Sequence, residues 1–202
     1  MSKALGIGCG ILLAIGVGLV VAGMVFLPRL IDSVRQQVVE EGERQGIAAS
    51  WNAPEKDATA SEVFPATVGD YTLEHADRAA IPELHLDQKG FHAAYSSGPS
   101  KIEVFAYPVS KPEALTMMTR AEQAGKHAGG NHSWVKVDLG DYARVYLSTS
   151  TLGKNYLWFT KGWLLVFRTR DAEDREPFVH EFLRTRHPPK KAPDPAPKKG
   201  EE

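Results

Sequence analysis

From Ala4 to Leu27 no position carries a charge, and Leu, Ile, Val, Met or Phe fills most of them. At about 1.5 Å per residue this run reaches roughly 36 Å, enough to cross a ~30 Å hydrocarbon core as one tilted helix. It is apolar on every side, unlike a surface helix with one buried stripe. Residues 4–27 therefore read as a transmembrane helix. Gly6, Gly10, Ala14, Gly18 and Ala22 recur at every fourth position and form one ridge of small side chains, where a second helix can approach closely. The ridge predicts self-association or packing on another membrane protein. A cleaved signal peptide would use Val20 and Ala22 before the cut, but the apolar run continues past them to Leu27. A lipid attached at Cys9 would need a longer apolar stretch before that residue.

Beyond the bilayer, Leu27, Ile31, Val34 and Val38 are spaced 4, 3 and 4 residues apart, a short coiled-coil-like seam. A helical stalk is expected over 28–45, stopped by Gly46. Ala, Ser, Asp and Glu with Pro54 then predict a flexible linker over 46–62. At the other end, 187–202 is rich in Pro, Lys and Ala, and is expected to be a disordered tail.

Between 63 and 186 the pattern changes to short alternating runs. Strands are expected at Val63–Val68, Tyr71–Ala76, Gly90–Ser96 and Lys101–Val109. Ser110-Lys111-Pro112-Glu113 has the spacing of a capping box and opens a helix that ends before Gly129-Gly130. A second series follows: Trp134–Leu139, Arg144–Ser150, Asn155–Thr160 and Trp163–Thr169, then a helix carrying Phe178, Val179, Phe182 and Leu183 on one face. Trp163–Phe167 does not alternate, which predicts a central strand covered on both sides. Val68-Gly69-Asp70-Tyr71 resembles Leu139-Gly140-Asp141-Tyr142, so a duplicated βββα unit is one reading of the order. The expected fold is α+β: an antiparallel sheet with two helices on one face, in two layers.

Composition narrows the chemistry. A formal net charge of −1 argues against a nucleic-acid partner. The single cysteine, Cys9, lies in the apolar run, which leaves no thiol for catalysis, disulfides or zinc in the domain. Familiar nucleotide, serine-hydrolase and zinc-protease spacings are missing, and no cofactor is expected. His127 and His132 beside Gly129-Gly130 could hold a metal or an anion, although a helix end accounts for the same residues. His75, His85 and His92 have no metal-like spacing along the chain and read as surface histidines. Tyr156 and Trp158 point the same way on one strand, and with Lys154 and Lys161 at the rim they are a candidate docking surface if exposed. Core filling is the competing account of the same aromatics.

These features favour a single-pass, membrane-anchored, non-enzymatic binding or accessory module, with the bilayer itself as a partner. The alternative is a tethered enzyme or small-ligand carrier with a pocket under the sheet. Lys3 faces Arg29 and Arg35 across the apolar run, a balance that would retain the domain inside. The very short amino-terminal tail has the layout of a signal anchor, which places the domain outside the cytoplasm.

Overall fold

The computed structural model describes residues 36–128, 133–169 and 176–185. The expected transmembrane helix, the start of the stalk and the carboxy-terminal tail lie outside the described residues. Among the described residues no helix is long and apolar enough to cross a membrane.

Residues 36–50 are helical (α1). Internal contacts divide the chain between Gly46 and Ile47. In the first unit, Arg44 pairs with Glu40 at 3.6 Å and with Glu41 at 3.8 Å, the one-turn spacings that favour an isolated helix. Val38 and Val39 stand exposed there.

The second unit is a sheet-rich α+β domain. Its elements are α2 (Ala60–Val63), β1 (Thr67–Val68), β2 (Tyr71–Ile81), a 3-10 turn at Pro82–Leu84, β3 (Leu86–Ser97), β4 (Ser100–Pro108), α3 (Lys111–His127), β5 (Ser133–Leu139), β6 (Tyr142–Thr149), β7 (Gly153–Thr160), β8 (Trp163–Thr169) and α4 (Glu176–Arg184). All eight strands join one antiparallel sheet in the order β1-β2-β3-β4-β8-β7-β6-β5. That order reads as ββββα laid against a second ββββα, meeting at the β4–β8 pair. The Gly-Asp turns that open each half match in backbone as well as sequence, with φ of 53° at Gly69 and 54° at Gly140. Each half holds four strands, as the individual runs predicted, so the repeating unit is ββββα rather than βββα, with β1 and β5 pairing across these turns.

The helices do not share a face. Along β8, Trp163, Leu165 and Phe167 belong to one apolar core with Phe178, Val179, Phe182 and Leu183 of α4. Leu164 and Val166, between them, belong to another core with Ala114, Met117, Met118 and Ala121 of α3. Successive strand residues point to opposite sides of a sheet, so α4 covers one face and α3 the other. The expected two layers are three. Central β8 is buried along its whole length, as its unbroken apolar run required.

The linker expected over 46–62 is also replaced by packed structure. The α1 helix passes Gly46, whose added Cβ would meet nothing, and Ala48 and Trp51 are fully buried in the α4-side core. The β7–β8 hairpin ties this segment down. Thr160 Oγ1 donates to the Ala48 carbonyl at 3.1 Å, Lys161 Nζ to the Trp51 carbonyl at 2.6 Å, and Trp163 Nε1 to the Pro54 carbonyl at 3.0 Å. Val63 belongs to α2 rather than to a strand. Glu113 accepts from both the backbone N–H and the hydroxyl of Ser110, which starts α3 where the capping pattern placed it.

Candidate functional site

On the α3 side of the sheet, past the apolar core, the first half carries a polar row. Register builds it. Asp77 of β2 stands opposite His92 of β3, and His92 stands opposite Phe105 of β4. One pair along, Ala94 has His75 on one side and Glu103 on the other. His75 and Asp77 share a face because they are two apart on β2, and the bulge between Leu73 and His75 sets that phase.

His92 is the fixed member of the group. It is buried, and its ring stacks on Phe105 with centroids 4.5 Å apart. Nδ1 lies 2.6 Å from Asp77 Oδ1, a direct hydrogen bond, and Nε2 lies 3.7 Å from Glu103 Oε1, a longer ion pair. The His75 ring stands edge-on to His92 with centroids 5.5 Å apart. Glu103 and then Asp77 hold the His92 imidazolium above the usual histidine range, against the opposing effect of burial. Exposed His75 and Asp77 leave the outer side open to solvent.

The row continues across the sheet. Glu103 faces Arg168 of β8 in register, and Arg168 faces Asn155 of β7. Arg168 reaches Glu83 of the 3-10 turn at 3.5 Å. Asn155 is fully buried and donates to the Leu152 carbonyl at 3.1 Å, which fixes the turn before β7. Imidazole nitrogens beside carboxylate oxygens on rigid strands can hold a proton between them or present a mixed N,O donor set.

The residues singled out in the sequence fall elsewhere. Tyr156 and Trp158 are 4% and 1% exposed and pack in the α4-side core, so they form no docking surface on this domain. Trp158 lies edge-on to Tyr142 at 5.8 Å and to His180 at 5.8 Å. Lys154 is half-buried, while exposed Lys161 is engaged with the Trp51 carbonyl. Gly6, Gly10, Ala14, Gly18 and Ala22 lie outside the described residues. In the loop after α3, residues 129–132 also lie outside them; His127 Nδ1 donates to the Gln123 carbonyl at 2.6 Å, the helix-end role. Of the surface histidines, His75 and His85 are exposed as expected, and His92 is not.

No family model matches the sequence, and no curated protein is significantly similar to it. Among solved structures, a GTP-binding regulator from Thermotoga maritima is similar at a TM-score of 0.46 and 18% identity, over 63% of this chain and 87% of its own. That likeness is too remote to bear on function.

Proposed function

We propose that the chain is a single-pass, membrane-anchored binding or accessory module whose domain does no chemistry of its own. The observation that carries this reading is the uncharged run from Ala4 to Leu27, with its ridge of small residues at every fourth position. Exposed Val38, from the seam expected to follow that run, supports a helical partner beside it. The apolar cores that α4 and α3 form on the two faces of the sheet favour this over the carrier reading, which needs a pocket under the sheet. The paired ββββα order and the matching Gly-Asp turns support an origin by duplication. On this reading the domain lies outside the cytoplasm, and the partner is a second copy or another membrane protein meeting the ridge.

Carbonate washing of membranes, with reporter fusions at both ends, tests the tether and its orientation. The chain stays in the pellet if the run spans the bilayer. Release into the supernatant, or a mature chain beginning near Gly23, ends the proposal.

A further inference from the structure

The β2–β3 ladder points to a second property, independent of the membrane reading. We propose that His75, Asp77 and His92 bind a divalent transition ion of the zinc type, with Glu103 as the outer carboxylate that orients His92. Three observations carry it. The donor atoms of His75, Asp77 and His92 all lie within 4.8 Å of one another. Tetrahedral zinc with bonds of about 2.0–2.1 Å separates its ligand atoms by roughly 3.3 Å, so closure needs shifts on the order of 1 Å. Exposed His75, next to the bulge in β2, is the member placed to move.

The second observation is the division of labour on His92. Nδ1 faces Asp77 at 2.6 Å, where an ion replaces the shared proton and widens that gap. Nε2 is buried, with Glu103 at 3.7 Å beside it. At 3.7 Å Nε2 makes no hydrogen bond to Glu103. Closing that gap when an ion binds gives the outer-shell arrangement in which the other imidazole nitrogen donates to a carboxylate, fixing ring orientation and raising ligand basicity. Stacking on Phe105 holds the ring plane, so part of the site exists before the ion arrives. The third observation is donor chemistry. Two imidazoles and one carboxylate suit zinc, nickel or copper, whereas magnesium and calcium take oxygen donors. Three protein ligands leave a position open on the solvent side, for water or a carboxylate of a bound partner.

The test uses the full chain, untagged and in detergent, titrated calorimetrically with zinc chloride and separately with magnesium chloride. Saturable zinc binding near one ion per chain is expected, with no magnesium signal. His75→Ala, at an exposed position that leaves the core untouched, is expected to weaken zinc at least about tenfold, and Asp77→Asn likewise. Glu103→Gln is expected to weaken it by roughly ten- to hundredfold while the ion still binds. Zinc should also raise the urea midpoint of the wild type, and raise that of His75→Ala less at the same concentration, which separates a built site from loose binding. The proposal falls if the wild type takes up no zinc. It falls equally if His75→Ala binds zinc as tightly as wild type, the mark of an adventitious ion on other histidines, or if magnesium competes on equal terms.

Discussion

The ring of Tyr107 occupies the space where a side chain would stand on Gly90. A Cβ added at Gly90 would sit 2.6 Å from Tyr107 Cε1, and the whole ring edge is within 2.9 Å. Tyr107 is fully buried against α3 and the 3-10 turn, so the ring has nowhere to swing. Gly90→Ala is therefore expected to destabilise the domain by about 1–3 kcal/mol, the usual range for forcing an extra carbon into a packed core. Urea unfolding followed by tryptophan fluorescence measures it; an unchanged midpoint would mean the ring is free to yield. The Tyr107 hydroxyl, buried without a protein partner among the described residues, adds a contrast. Tyr107→Phe keeps the ring and removes an unpaired polar atom, and should be neutral or stabilising by up to about 1 kcal/mol.

Trp51 decides whether the segment after Gly46 belongs to the domain. Its ring is fully buried and edge-on to Trp163, with centroids 6.5 Å apart. Trp51→Ala is expected to cost about 3–5 kcal/mol, as for other large aromatics cut from a core. A tryptophan in a flexible linker would cost nothing measurable, so a wild-type midpoint in this variant would restore the linker.

How much of this was legible in the sequence depends on whether the signal was local. The positions of β4 to β8 and the start of α3 follow from alternation, turn residues and the Ser110–Glu113 pair, all close in sequence. By contrast, β2 runs on to Ile81 and β3 starts at Leu86, well beyond the expected Tyr71–Ala76 and Gly90–Ser96. The unbroken Trp163–Phe167 run already demanded cover on both faces, and placing both helices on one face contradicted it. The packed segment 47–64 was masked by composition, because its buried Ile47, Trp51, Val63 and Phe64 are spread among Ala, Ser, Asp and Glu. Contacts with the β7–β8 hairpin, more than a hundred positions away, help to order it, and its end packs against β2 and β3. The His75–Asp77–His92 group was hidden for a different reason. Asp77 lies past Ala76, where the strand was expected to end, and the meeting of His75 and Asp77 with His92 depends on register, which two bulges in β2 shift.

Leucine substitutions at Gly10, Ala14 and Gly18 together probe the membrane ridge. Added bulk should keep the helix apolar and inserted while holding a partner backbone away. Crosslinked species seen with wild-type membranes should disappear, with carbonate resistance unchanged. Their survival would leave the ridge without a part in assembly.

The pH dependence of stability tests His92 from the other side. Its proton is held more tightly in the folded chain than in the unfolded one, where a histidine titrates near ~6.5. A raised folded value contributes stability that is fully present below the unfolded value and is lost as pH rises through the folded one. The groups facing the ring are His75 and Asp77 from β2 and Glu103 from β4; Arg168 from β8 and Glu83 from the 3-10 turn extend the same row. Glu74 and Glu113 are lowered, the first by Ser96 and Lys101 and the second by Ser110, so their contributions fade only in acid and do not intrude here. With a chelator present, the urea midpoint should fall as pH rises above the unfolded value of about 6.5, and the fall should be smaller in His92→Gln. Zinc reverses the sign, since it displaces the proton that alkali removes, and its protection should grow over the same interval. A chelated wild type whose midpoint stays level or climbs would show that the imidazole carries no extra proton affinity from the fold.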